Sequence, residues 1–178
     1  VILHYGLDAS LLKHYVPANN EERKLILSNI YVSFVITTTA IVTLLVLFRH
    51  QVSDLFFGSD LPQISLLVAG ILFFDVLWTI HTLLLRAEGK PVFFTLVNFF
   101  NVLSSLGLNL LLVLYFQMGI FGVLLSNLIT SGLIFIATLP IIINRISFSY
   151  LSLTRWKKLM NFGLPFLPAG IFSMTLEL

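Results

Sequence analysis

Four apolar runs, Leu25–Phe48, Ile64–Leu85, Val92–Phe116 and Gly119–Ile143, of 24, 22, 25 and 25 residues, fill most of this 178-residue chain. About 20 apolar residues in a helix cross about 30 Å of hydrocarbon, so each run spans a bilayer without help from tilt. Backbone N–H and C=O groups in lipid must be satisfied within the protein, and runs of this length meet that demand as helices. The sequence therefore predicts an all-α, polytopic transmembrane helical bundle. It has four complete spans plus a truncated fifth that opens at Phe162. Hydrophobic residues make up 58% and charged residues 10% of the chain, against about 25% charged in soluble domains. That balance excludes most soluble-enzyme readings.

The charges orient the bundle. Lys13, Arg23 and Lys24 precede the first run, Arg86 and Lys90 follow the second, and Arg145, Arg155, Lys157 and Lys158 follow the fourth. Of the ten Lys and Arg residues, Arg49 alone falls on the opposite side. The positive-inside rule makes the Lys- and Arg-rich side cytoplasmic. Because these residues serve topology, the net charge of +2 implies no nucleic-acid partner. The chain has no cysteine, hence no disulfide framework, thiolate metal site or lipidated cysteine. The start at Val1, without a signal-peptide pattern, and the stop inside an apolar run are expected of a fragment.

The connections carry further expectations. Arg86–Pro91 is a tight turn with Gly89 and Pro91 as helix stop and start. Gln117-Met118-Gly119 is tighter, so the third and fourth runs are antiparallel neighbours. Arg49–Pro62, with Phe56-Phe57-Gly58, is expected to be an interfacial loop. Asn144–Asn161 contains Tyr150, Trp156 and a basic cluster, the composition of an amphipathic stretch at headgroup level, or of a solvated loop.

Each run carries a polar seam. At 100° per residue, Asp75, Thr79, Thr82 and Arg86 lie at about 0°, 40°, 340° and 20°. Asn98, Asn101, Ser105 and Asn109 fall within an arc of about 80°. Asn127, Thr130, Ser131 and Thr138 share a comparable face, and Asn29, Ser33 and Thr37 recur every four residues. Two roles compete for these seams. Small and polar residues let helices approach and hydrogen bond, at about 0.6–2 kcal/mol per bond. Amides facing a hydrated cavity are also good partners for sugar hydroxyls. Packing is the readier reading for Ser and Thr; for the Asn row both stand.

Asp75 is the sharpest single residue, since a carboxylate within a span must be paired, hydrated or protonated. His81 lies about 240° round the helix from it, too far for a relay, and reads as interfacial. Glu177 would fall well into the fifth run. Enzyme signals are thin. There is no Gly-rich phosphate loop, metal-ligand spacing or Gly-x-Ser-x-Gly elbow. The outer connection offers only Arg49, His50, Asp54 and Asp60. No enzyme, metal or cofactor is expected.

Leu84-Leu85-Arg86-Ala87-Glu88-Gly89-Lys90-Pro91, Met118-Gly119-Ile120-Phe121-Gly122 and Thr130-Ser131-Gly132 together resemble the Wzx-type polysaccharide flippases. These belong to the multidrug/oligosaccharidyl-lipid/polysaccharide exporter superfamily, which includes the MATE-like transporters. Leu159-Met160-Asn161-Phe162-Gly163-Leu164-Pro165 through Gly170 is similar to the opening of that family's seventh helix, and Tyr5-Gly6-Leu7-Asp8 to the end of its second. The resemblance implies a part of a two-lobe exporter fold. Residues 1–143 would be most of the N-terminal lobe, 144–161 a cytoplasmic inter-lobe linker and 162–178 the start of the second lobe. It implies alternating-access translocation of a lipid-linked oligosaccharide across the cytoplasmic membrane, in contact with membrane lipid and with cation-dependent coupling. The expected substrate residues are Asp75, Asn98, Asn101, Asn109 and Asn127 in the cavity, with Arg86 and Lys90 at its mouth. A drug or metabolite exporter of the same superfamily, with an apolar aromatic cavity, is one alternative. A membrane polymerase or ligase acting on sugar lipids is another, and a purely structural subunit with a paired, dry Asp75 is the last.

Overall fold

The computed structural model describes residues 7–57, 61–146, 152–163 and 165. Among these every regular element is a helix: α1 (Leu7–Tyr15), α2 (Asn20–Leu47), α3 (Arg49–Phe57), α4 (Pro62–Ala87), α5 (Pro91–Asn109, continued by a π-helical segment Leu110–Tyr115), α6 (Gly119–Ile143) and α7 (Leu153–Gly163). Four of them, α2, α4, α5 with its extension, and α6, are long and apolar enough to cross a bilayer. The chain is an all-α, multi-pass membrane bundle. The fifth apolar run, which opens at Phe162, lies outside the described residues except for Phe162 and Gly163, which close α7, and Pro165.

Local chemistry sets the ends. The Asn19 side chain accepts the Glu22 N–H at 2.9 Å, and Glu21 and Glu22 sit in the first turn of α2, where carboxylates favour the positive end of the helix. This cap starts α2 five residues before the apolar run. At the end of α4, Lys90 N bonds Leu85 O and Gly89 N bonds Arg86 O, at 2.9 and 3.1 Å. That is the paired closure in which a left-handed residue reverses the chain, and Gly89 supplies it with φ +67°. Pro91 then opens α5 where a missing N–H costs nothing.

Two connections differ from expectation. Arg49–Phe57 is a short helix rather than a loop, with Ser53 Oγ accepting the Leu61 N–H at 2.6 Å. The last turn and a half of α5 widens to π geometry, so Phe116 N bonds Leu111 O and Met118 N bonds Leu112 O, both at 3.0 Å. The widened turn closes the hairpin and brings Leu112 against Gly122. A Cβ on Gly122 would lie 3.2 Å from Leu112 O, so a larger residue there would push α6 away.

α4 is the central post. It packs most extensively on α6, then on α2, while α5 leans on α6. Leu27, Ile30 and Phe34 of α2 meet Val76, Ile80 and Leu84 of α4 and Ile142 of α6, and Leu11 and Tyr15 of α1 and Leu159 of α7 extend this core. The Asn29, Ser33 and Thr37 row serves helix bonding: each side chain donates to the carbonyl four residues earlier, at 2.7–2.8 Å. Asn29 Oδ1 also accepts the Ser152 N–H at 3.0 Å, and Ser10 Oγ donates to Leu159 O at 3.2 Å. These bonds pin α7 across the basic end of α1 and α2. Leu159 faces inward and Trp156, Lys157 and Lys158 face outward, the amphipathic arrangement expected for this stretch.

Candidate functional site

The polar seams of α4, α5 and α6 converge on one side of the post, where they border a groove of ≈ 540 Å³. Asp75 and Trp78 of α4, Asn101, Ser105 and Asn109 of α5, and Asn127, Thr130 and Ser131 of α6 supply its polar lining. The pattern follows from helical spacing. Residues three and four apart share a face, so turning the seams of adjacent helices inward places all three rows together.

Asp75 Oδ1 accepts the Trp78 indole N–H at 3.0 Å and the Ser131 hydroxyl at 2.5 Å. Ser126 donates to Asn109 Oδ1 at 2.7 Å, Asn109 Nδ2 to Ser105 Oγ at 3.4 Å, and Ser105 to Asn127 Oδ1 at 3.2 Å. This chain sews α5 to α6. Packing and cavity lining are thus carried by the same side chains. Capacity nonetheless remains. Among the described residues, Asp75 Oδ2 and the Asn101 amide have no bonding partner, and Thr130 Oγ1 is buried without one. A buried hydroxyl left unsatisfied costs about 1–3 kcal/mol, a cost that a polar ligand or water in the groove would remove.

The expected site residues divide. Asp75, Asn101, Asn109 and Asn127 come together in the groove. Asn98 does not: its Nδ2 folds back on Phe94 O at 2.8 Å, one turn nearer the basic end. Arg86 and Lys90 also stand apart. The Arg86 guanidinium lies over the Phe94 ring at 5.4 Å from its centre, and Lys90 Nζ pairs with Glu88 at 2.9 Å. Trp78 is the groove residue that the sequence reading passed over. Its signal was present, since it follows Asp75 by three residues, but a single Trp in an apolar run gives no periodicity to notice. Ser105, Thr130 and Ser131 were legible on their seams as packing residues.

His81 is corrected outright. It is fully buried (0% exposed) between α2, α4 and α6, not at the interface. The Thr138 hydroxyl donates to Ile134 O at 2.7 Å, so it accepts from His81 Nδ1, also at 2.7 Å. Nε2 lies 3.4 Å from the Tyr31 hydroxyl, and the Tyr31 and Phe135 rings stack with the imidazole at 5.8 and 5.5 Å.

A second polar cluster closes the basic end. Arg145 grips Glu88 with two nitrogens, at 2.6 and 2.8 Å, and a third donates to Ile141 O at 2.6 Å. Tyr15 donates to Glu88 at 3.2 Å. Partial burial acts to raise the Glu88 pKa, but the hydrogen bonds and charges of Lys90 and Arg145 outweigh it and hold the carboxyl below its usual range. Burial, followed by the Glu88 charge, pushes the Tyr15 hydroxyl up to about 12. No group of three or more His, Cys, Asp or Glu residues able to hold a metal occurs among the described residues.

The family described as "Polysaccharide biosynthesis protein" matches residues 1–177. No curated protein and no solved structure matches the chain.

Proposed function

The chain belongs to the polysaccharide biosynthesis protein family, and from that premise we propose that it translocates a lipid-linked oligosaccharide across the cytoplasmic membrane. At the coarser level it is a polysaccharide-related membrane transporter. The observation that carries the finer reading is the groove within membrane-spanning helices, where amides and hydroxyls stand among Ile71, Val102 and Leu106 and still have open hydrogen-bonding capacity. Amides donate and accept at once, which matches the paired donor and acceptor character of a sugar hydroxyl. Apolar cargo would leave those groups unpaired, and Trp78 is the single aromatic side chain in the lining. Both points weigh against the exporter of apolar compounds.

In this reading Asp75, Asn101, Asn109 and Asn127 contact the sugar, and Thr130 and Trp78 join them. Arg86, Lys90 and Asn98 act outside the groove, the first two at the cytoplasmic mouth. The bundle is the N-terminal lobe of a two-lobe exporter with residues 144–161 as the link, and the lobes rock about the groove. Asp75 is the residue that would meet a coupling cation. The function is non-enzymatic.

Deleting the protein and separating the cell's lipid-linked repeat units by leaflet tests the proposal. Loss of the surface glycan, with repeat units held in the cytoplasmic leaflet, is the expected result. Unpolymerised repeat units in the outer leaflet would make the protein a polymerase or ligase instead. An unchanged glycan with altered drug sensitivity would make it a drug exporter.

A further inference from the structure

A second crevice, of ≈ 270 Å³, opens at the basic end between α1, α2, the α4–α5 turn and α6, lined by Tyr15, Asn20, Arg23, Lys24, Glu88 and Arg145. Three cations and one carboxylate border it. The carboxylate is spoken for, because Glu88 is held by Arg145, Lys90 and Tyr15. Arg145 spends its guanidinium on Glu88 and Ile141 O. Arg23 is different. Its Nε and one terminal nitrogen donate to Tyr15 O and Val16 O at 3.2 and 3.0 Å, which fixes the group in place and leaves the other terminal nitrogen uncommitted. Neither Arg23 nor Lys24 forms an ion pair among the described residues.

Neither Glu21 nor Glu22, the acids beside Arg23 and Lys24 in sequence, is among the residues that line the crevice. The crevice therefore presents a fixed guanidinium nitrogen, a free ammonium and an amide to one small volume. Depth adds the last constraint. Lys24 immediately precedes the apolar run that starts at Leu25, so the cluster stands at headgroup level on the side that the charge bias assigns to the cytoplasm.

We propose that this crevice binds a phosphate group, and that its occupant is the headgroup of an anionic phospholipid of the cytoplasmic leaflet. Basic pockets between helices at this level suit such headgroups, each cation adding about fivefold in affinity. The site is separate from the groove and does not depend on the transport reading. Its natural role is to tie the lobe's basic end to the membrane.

The test uses purified full-length protein and native mass spectrometry with phosphatidylglycerol, phosphatidylcholine and inorganic phosphate as probes. Phosphatidylglycerol should be retained over phosphatidylcholine, and Lys24→Gln should lower that retention about fivefold. Lys157→Gln, on the outward face of α7, should leave it unchanged. Arg23→Gln should lower it further, but Arg23 also caps α1, so Lys24→Gln decides. Retention that Lys24→Gln does not alter would overturn the site. Displacement of phosphatidylglycerol by millimolar inorganic phosphate would overturn the lipid assignment in favour of a soluble phosphate.

Discussion

Both sides of α4 carry polar side chains, but to opposite ends. Towards α2 and the inner half of α6 lie His81, Tyr31 and Thr138, with Phe34, Ile80, Leu84 and Ile142 filling the space around them. Towards α5 and the outer half lie Asp75, Asn101, Asn109, Asn127 and Thr130 around an open groove. α5 has no buried residue at all. Polar residues inside a membrane bundle therefore do not mark a site by their presence. What separates a seal from a site is whether neighbours saturate the polar atoms and whether side chains fill the volume. His81 is saturated through both ring nitrogens, whereas Asp75 is bonded through one oxygen.

The sealed side should break hardest. His81→Ala would remove the ring that stacks with Tyr31 and Phe135 and strip the Thr138 hydroxyl of its donor. A cavity and a lost buried hydrogen bond together predict about 2–4 kcal/mol of destabilisation. The check is the thermal unfolding midpoint of the detergent-solubilised protein, and a shift no larger than that of a surface substitution would contradict the seal.

Asp75→Asn preserves shape, keeps one oxygen to accept from Trp78 and Ser131 and turns the other into an amide donor, so it should spare folding while lowering transport at least tenfold. The reading is leaflet-resolved flipping of labelled repeat units in vesicles. Unchanged flipping across pH and salt would take the carboxylate out of the mechanism and leave it as packing.

The Glu88 cluster carries a pH signature of its own. The lowered Glu88 pKa means that its contribution is present above the unfolded value of about 4.5 and lost as pH falls through the folded one. The raised Tyr15 pKa contributes fully below its ordinary value of 10.0 and is lost as pH rises through about 12. The contribution of the Glu88–Tyr15 cluster should therefore plateau between these limits. Glu88→Gln should flatten the acid limb and cost about 1–2 kcal/mol from weakened charged hydrogen bonds. Melting curves across pH read both effects.

The smallest stability effect belongs to Asn101. With its amide unbonded, Asn101→Ala should move stability by no more than about 0.5 kcal/mol, yet reduce flipping severalfold. A stability loss as large as that of Asn109→Ala, which breaks the α5–α6 bonding chain, would erase the contrast between lining and sewing residues.

Much of this contrast was written in one-dimensional patterns, and part was not. Span lengths and the Gly89-Lys90-Pro91 stop gave the helices and their turns, because both depend on local chemistry alone. The Asn101, Asn109 and Asn127 rows gave the groove's walls, since a seam of amides has few other places to face. Asn98 had the right angle but too little depth. An angle fixes a face, while the position along the helix axis decides whether that face meets the opening. His81 failed for a related reason. Its distance from the span's end suggested headgroup depth, but burial there is set by Tyr31 and Phe135 from other helices, which no spacing within α4 reports. The α3 helix and the π turn reflect how short connections close on their neighbours, and that too is invisible along the sequence.

The absence of cysteine offers the most direct test of the central claim, that the α4–α5–α6 groove is open and the α2–α4–α6 seam is sealed. Asn101→Cys, Thr130→Cys and Thr138→Cys, each as the protein's sole cysteine, would be exposed to a membrane-impermeant thiol reagent with and without lipid-linked oligosaccharide. The account predicts that the thiols at positions 101 and 130 react and are protected by the oligosaccharide, while the one at position 138 stays inert. Equal inertness at all three positions, or labelling at 101 and 130 that the oligosaccharide leaves untouched, would contradict it.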